Sequence, residues 1–344
     1  MKRFTRFCIK LIIVLIALCI IAVGAFYYLV PGIHLSTPAQ IGLSKTNAVW
    51  MAHKWVGEPH TREEIHSILS TLINNNISLV FLHTGPIDRD GTIPSSRYIH
   101  ARTFLETAKE IAPDITFHAW IGQVRDKLAL EDPLTIANIA ETSVHLVKNI
   151  GFDGIHLNIE PMQSDPVFAM ILQNIYTVIN TLEGELKREV EVSAAISPIV
   201  PELPLKLLKI GDAESFFGHD LDKTYNSYTY VKQLAQYADY LVLMGYDTSF
   251  QDTETYEWFI EQELIFLTHA APRKALLGIP SYEDERPNFN PEIENIETAL
   301  KGVHRGISNM RSDLDDLSGL AIYSRWTTDD SEWETWKEKW LQHN

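Results

Sequence analysis

Residues 151–161 read Gly-Phe-Asp-Gly-Ile-His-Leu-Asn-Ile-Glu-Pro. Ile155, Leu157 and Ile159 alternate with His156, Asn158 and Glu160, the period-two pattern of a strand with one apolar and one polar side. The polar series ends in a carboxylate, and Pro161 then stops the strand. An ordinary strand does not bury His, Asn and Glu together, because each polar group left unpaired costs about 1–3 kcal/mol. Either this side faces solvent as a polar sheet face, or it faces a site that uses these groups. The flanking strands read as buried on both faces, which favours the site. Glu160, at the C-terminal end of its strand with two hydrogen-bonding neighbours on the same side, has the position of a general acid.

The same grammar repeats in both directions. Strand-like segments cover 47–53, 77–83, 115–121, 153–159, 190–196, 238–244, 274–280 and 319–324. Amphipathic stretches lie between them at 61–74, 98–111, 132–149, 166–186, 226–236, 253–270 and 292–314, and a terminal one at 330–342. Eight strands alternating with helices fit a single (β/α)8 TIM barrel of the α/β class. The alternative, a doubly wound open sheet, usually carries a glycine-rich phosphate loop after its first strand, and Trp50-Met51-Ala52-His53 offers none. In a barrel the site lies at the C-terminal strand ends. Those ends carry His53, Trp55, His83, Trp120, Glu160, Ser197, Tyr246, Asp247, Tyr282 and Trp326. Aromatics facing a cleft suit sugar rings, which offer an apolar face and a hydroxyl edge.

The first thirty residues stand apart. Lys2, Arg3, Arg6 and Lys10 precede an apolar run from Leu11 to Val30, long enough to cross a bilayer as one helix. Basic residues before the run and none directly after it place the N-terminus in the cytoplasm and the remainder outside. The expectation is a single-pass transmembrane anchor over 1–30, a linker over 31–46 and one barrel domain over 47–344. A cleaved signal peptide is the rival, with Ala22-Val23-Gly24 as a cleavage site, but its apolar core would run only about 7–15 residues. A lipoprotein reading through Cys19 meets the bulky Leu18 before it. Cys8 and Cys19 are the only cysteines, so the exported part has neither disulfide nor thiolate chemistry.

The formal charge of −16 excludes nucleic acid or anionic lipid as a partner held by a basic patch, and leaves a neutral glycan open. Thirteen histidines raise the question of a metal. His53, His83, His118 and His156 come from separate strands, as in a barrel zinc site. No His-Glu-x-x-His or tight His/Asp cluster appears, and neither metal nor other cofactor is expected. The stretch 198–230 is long for a strand-to-helix connection and holds Phe216, Phe217, Tyr225, Tyr228 and Tyr230. It reads as one wall of a glycan cleft or as a surface excursion with its own small core.

At this point the residues resemble the family 18 glycoside hydrolases, which include chitinases, endo-β-N-acetylglucosaminidases and several cell-wall lytic enzymes. That family's fourth strand carries D-G-x-D-x-D-x-E, and Asp153, Gly154, His156, Asn158 and Glu160 stand at the corresponding places. Its sixth strand ends in M-x-Y-D, matched by Met244-Gly245-Tyr246-Asp247. Its seventh often reads G-[IV]-P-x-Y, matched by Gly278-Ile279-Pro280-Ser281-Tyr282, and its eighth supplies a floor tryptophan, for which Trp326 is the candidate. There are two departures. His156 and Asn158 replace two inner carboxylates, and Ala119-Trp120-Ile121-Gly122 stands where the family has S-x-G-G.

The resemblance implies hydrolysis with retention, in which the substrate's own 2-acetamido oxygen is the nucleophile. Glu160 would be the general acid, Asn158 would orient the acetamide, and the Tyr246 hydroxyl would hold the acetamide carbonyl. Asp247 and Trp326 would contact the sugar, and His156, Met244, Tyr282, Trp120 and Trp50 complete the expected glycan-binding set. His156 is expected as an interior partner of Asn158 or Asp153, and Asp153, on the opposite parity from Glu160, as structural. An Asn-x-Glu pair serves in family 85 endo-N-acetylglucosaminidases, so the amide is compatible with turnover. It supplies no negative charge, and losing one preorganised electrostatic contact costs about 10²–10³ in rate. The expected function is therefore a membrane-anchored extracytoplasmic glycosidase acting on β-linked N-acetylhexosamine glycans: chitin-like oligomers, peptidoglycan strands or N-glycan cores. The alternative is a barrel that binds glycan or a protein partner without hydrolysis. A single anchor fits monomer or dimer.

Overall fold

The computed structural model describes residues 42–160, 164–200, 225–281, 289–310 and 312–341. Its strands are β1 (Ala48–Met51), β2 (Leu79–Pro86), β3 (Thr116–Val124), β4 (Gly154–Glu160), β5 (Glu191–Ile196), β6 (Tyr240–Met244), β7 (Ala275–Pro280) and β8 (Leu317–Tyr323). Each pairs in parallel with its neighbours, and β1 closes on β8 through Ala48↔Ala321 and Val49↔Ile322. The helices are α1 (Arg62–Asn74), α2 (Ala101–Ile111), α3 (Pro133–His145), α4 (Pro166–Leu186), α5 (Tyr228–Leu234), α6 (Thr253–Ala270), α7 (Ile296–Asn309) and α8 (Asp330–Trp336). This is the expected (β/α)8 barrel.

Local chemistry sets the helix starts. Thr61 and Glu64 form a reciprocal capping box at α1. Asp132 and Asp165 cap α3 and α4, each followed by a proline whose missing N–H costs nothing in the first turn. Alternation along the strands then sorts side chains into two layers. Val49, Val80, Leu82, Phe117, Ile121, Ile155, Leu157 and Ile159 face outward and pack under the helices. Each such side chain contributes about 1.5–3 kcal/mol by leaving water. Ala48, Trp50, Leu79, Phe81, Val242, Leu276 and Ala321 fill the barrel itself.

Indole N–H groups tie the N-terminal end of the barrel to the C-terminal segment. Trp340 Nε1 donates to Asn47 Oδ1 at 2.8 Å and Trp336 Nε1 to the Asn75 carbonyl at 3.0 Å. Asn47, fully buried, spends its own Nδ2 on the carbonyls of Gly42 and Asn76. Residues 42–46, read from sequence as the end of the linker, are thus built onto the barrel, and the Thr46 amide donates to Ser318 O at 2.8 Å. The expected anchor over 1–30 lies outside the described residues. Among the described residues no helix is long and apolar enough to cross a membrane. Most of the long 198–230 excursion also lies outside them; its two ends, Ile199–Val200 and Asn226–Ser227, pair in parallel.

Candidate active site

The polar side of β4 points into the barrel as its alternation requires, and its three groups have three different environments. His156 is fully buried. Trp50 Nε1 donates to His156 Nε2 at 3.2 Å, and His156 Nδ1 lies 2.9 Å from Ser193 Oγ. An indole nitrogen can only donate, so Nε2 carries the lone pair and Nδ1 the proton. The ring is neutral. Burial, helped by nearby His118, pushes its pKa well below the ordinary 6.5. The ring also stacks on Phe81, with centroids 3.8 Å apart. Its partners are therefore Trp50 and Ser193, not the expected Asn158 or Asp153. With both nitrogens engaged, His156 has no surface to offer the mouth, and Trp50, 1% exposed, offers almost none.

The chain of contacts continues downward. Ser193 Oγ lies 2.8 Å from His118 Nδ1, and His118 Nε2 lies 2.9 Å from Glu191 Oε2. Asp153 sits at the far end of β4, paired with Lys109 at 2.7 Å and accepting the Phe117 amide at 3.1 Å. This is a structural position.

One step up, Asn158 donates Nδ2–H to Glu160 Oε1 at 3.0 Å. Its Oδ1 is buried with no hydrogen-bond partner among the described residues. Gly122 stands beside it in register. A Cβ there would lie 2.6 Å from the Asn158 carbonyl oxygen and 3.2 Å from Trp120 Nε1, so only glycine leaves room. Glu160 is exposed to solvent at the C-terminal end of β4, with Asn158 and Asp247 close enough to act on its proton. Desolvation raises its pKa above the ordinary 4.5, the Asn158 hydrogen bond opposes this, and the Asp247 charge adds to it. That is the direction a general acid needs.

Tyr246 lies across the mouth, half-buried at the end of β6. Burial first, then the proximity of Tyr323, Glu160 and Asp247, hold its hydroxyl well above the usual range, so it stays a donor. Its ring stacks on Tyr323 at 5.0 Å and meets the edge of Trp50 at 6.4 Å. Trp326, 45% exposed, packs edge-on against Tyr323 at 5.6 Å. These rings form an aromatic ladder from the floor at Trp50 to solvent at Trp326. Asp247 is exposed and adopts a left-handed backbone, φ 59°. Met244 is half-buried against the large apolar cluster. Trp120 is half-buried, with His83 4.6 Å from its ring and its Nε1 buried without a partner among the described residues. Tyr282 lies outside the described residues.

Sequence reasoning missed Glu294. It is fully buried, and its Oε1 accepts from Thr248 N at 3.1 Å and Thr248 Oγ1 at 2.7 Å. Burial pushes its pKa up to about 7, the Thr248 bonds oppose that, and Asp247 reinforces it. No motif marks a lone glutamate in the loop before α7, and only its contacts find it. Ser193, Phe81 and Tyr323 were missed for the same reason. Among the described residues no three His, Cys, Asp or Glu side chains gather as a metal site. His53 and His83 meet at the mouth with rings 5.6 Å apart, separate from the His118–Ser193–His156 chain below.

The family model for glycosyl hydrolases family 18 matches residues 55–342. A search of curated proteins by sequence finds no match. Among solved structures, a plant class V chitinase mutant from Cycas revoluta in complex with (GlcNAc)3 is similar, at 14% identity and TM-score 0.59, over 86% of this chain and 99% of that one. A class V enzyme from Pseudomonas fluorescens aligns at 12% identity and TM-score 0.54, over 85% and 98%. An N-acetylglucosaminidase from Paenibacillus barengoltzii gives the same identity, score and coverage. At these identities the likeness speaks for the fold.

Proposed function

The chain belongs to glycosyl hydrolases family 18, and from that premise we propose that it is a retaining glycosidase for β-linked N-acetylhexosamine glycans. The observation that carries the reading is the Asn158–Glu160 pair. The amide N–H of Asn158 is spent on Glu160, which leaves a buried Oδ1, without a partner among the described residues, to accept an acetamide N–H. A buried acceptor without a partner costs about 1–3 kcal/mol, and a bound substrate amide would recover it.

In the first step the acetamide oxygen uses a lone pair to form a bond to the anomeric carbon. The glycosidic C–O bond breaks, and its electron pair takes the Glu160 proton. Tyr246, held as a donor, stabilises the acetamide oxygen, and Asn158 fixes the amide so that this oxygen faces the anomeric carbon. In the second step water gives a proton to the Glu160 carboxylate and attacks the same carbon, which reopens the oxazolinium ring and restores the configuration. Trp326, 45% exposed, offers apolar surface to a sugar ring, and Trp50, 1% exposed, lies beneath the site as core. Chitin-like oligomers, peptidoglycan strands and N-glycan cores all carry the required acetamide. The apolar run from Leu11 to Val30 supports an anchored enzyme with its barrel outside the membrane.

A second reading, glycan binding without turnover, draws on the neutral His156 and Asn158 where the family carries carboxylates. The test is incubation of the full chain in mild detergent with fluorogenic N-acetylglucosamine oligomers and with peptidoglycan, beside Glu160→Gln. Release by the parent alone supports hydrolysis. Binding by both with release by neither moves the assignment to the second reading.

A further inference from the structure

Replacement of two β4 carboxylates removes negative charge from beneath the reacting sugar, and on the β6 side a buried carboxyl group that no motif accounts for, Glu294, stands behind the motif residue Asp247. After β6 the chain passes through Tyr246–Phe250 with two left-handed residues, Asp247 at φ 59° and Ser249 at φ 62°. A left-handed conformation is unfavourable for residues with a side chain, so something must hold two of them so close together. Glu294 does so from the loop before α7. Its Oε1 accepts both the amide and the hydroxyl of Thr248, the residue between the two strained positions. Its Oε2 is buried with no partner among the described residues. Tyr256, on α6, donates its hydroxyl to the Gly245 carbonyl at 2.8 Å and pins the start of the segment. A Cβ at Gly245 would lie 2.6 Å from the Gly278 carbonyl oxygen, so the entry to the segment is fixed as well.

We propose that the positive charge developing on the sugar is balanced from the β6 wall, with Asp247 supplying the carboxylate and Glu294 acting as the positioning residue that holds it there. The electrostatic contact of Asp247 with Glu160 and Tyr246 supports this placement. The inference rests on the hydrolase reading above. It assigns Glu294 a part that no motif gives it, and it moves the anionic partner of the oxazolinium ion from β4 to β6, two strands along the barrel.

The test is a double-mutant cycle in the full chain with Asp247→Asn, Glu294→Ala and the pair, with Glu294→Gln as the conservative control, read as kcat and KM on fluorogenic N-acetylglucosamine oligomers. Asp247→Asn should lower kcat about 10²–10³-fold. Glu294→Ala should lower it roughly tenfold with little change in KM, Glu294→Gln should restore it because the amide oxygen still accepts from Thr248, and the double variant should match Asp247→Asn alone, because Glu294 acts through Asp247. Additive losses, or an Asp247→Asn enzyme as fast as the parent, would overturn the proposal. Amide hydrogen exchange supplies a readout that needs no glycan. Thr248 N–H should lose protection in Glu294→Ala and keep it in Glu294→Gln. Unchanged protection in both variants would refute the positioning role even if no glycan is cleaved. Lost protection in an enzyme that cleaves nothing would instead count against the hydrolase reading.

Discussion

The β4 and β6 walls look into one barrel mouth and handle charge in opposite ways. On β4, His156 is neutral and hydrogen-bonded on both ring nitrogens, Asn158 is an amide, and Glu160 is the lone acid. On the β6 side, Asp247 stands before a second, buried carboxylate, Glu294. The difference is between order obtained by hydrogen bonding and order obtained by burying charge. The first is cheap once every group is paired; the second costs free energy as soon as the buried acid ionises. It follows that the two walls respond to pH in opposite directions. His156 has a folded pKa well below its ordinary 6.5, so its contribution to stability holds above about pH 6.5 and is lost as pH falls. Glu294 has a folded value of about 7 against an ordinary 4.5. Its contribution is present below pH 4.5 and is lost as pH rises through 7.

The largest expected effect removes the single acid of the β4 wall. Glu160→Gln keeps the shape and the bond from Asn158 but cannot protonate the leaving oxygen, and kcat should fall about 10²–10⁴-fold with glycan binding retained. Equal kcat in parent and variant would take the acid away from β4. Next, His156→Leu should destabilise the fold by about 1–3 kcal/mol, because it orphans the buried Trp50 N–H, whereas the Ser193 hydroxyl keeps His118 and the Ile155 carbonyl. Denaturant unfolding measures it, and a loss within error of zero would show that the interior chain is ornamental.

The contrast in pH response is sharpened by Glu294→Gln. Thermal unfolding at pH 4.5 and pH 8 should show the variant gaining roughly 1–3 kcal/mol on the parent at the higher pH only. An equal gain at both would mean that ionisation of Glu294 is not what costs stability. The smallest effect lies at the rim. Trp326→Ala should raise KM about 2–10-fold with kcat and melting temperature unchanged, since a half-exposed ring gives stacking and little core. A changed kcat would place Trp326 deeper in the chemistry than its exposure implies.

The barrel was legible because its signals are local and redundant. Period-two runs such as Ile155–Glu160 and Asp-Pro helix starts such as Asp132-Pro133 and Asp165-Pro166 each point to their element without help from distant contacts. The expected strand at 115–121 runs on to Val124, and the one at 77–83 to Pro86, because a strand end is set by where its neighbour stops pairing. At the site, the residues on β4 and β6 could be named from pattern, and their partners could not. His156 faces Trp50 across the barrel, 106 positions away in sequence. Glu294 reaches Thr248 from a loop with no periodicity. Ser193 looks like one small residue in an apolar strand until two imidazoles converge on it. Such pairings depend on barrel register and closure, and no local pattern encodes them.

Catalysis by this barrel turns on whether a neutral Asn158 lets the substrate's own acetamide act as nucleophile. Proton NMR during the first minutes of cleavage of an N-acetylglucosamine oligomer by the full chain measures this most directly, read at the anomeric signal of the new reducing end and repeated with the de-acetylated oligomer. The account predicts the β-anomer first, relaxing later to the equilibrium mixture, and no cleavage without the acetamide. Initial α-anomer, or equal cleavage of the de-acetylated oligomer, would contradict it.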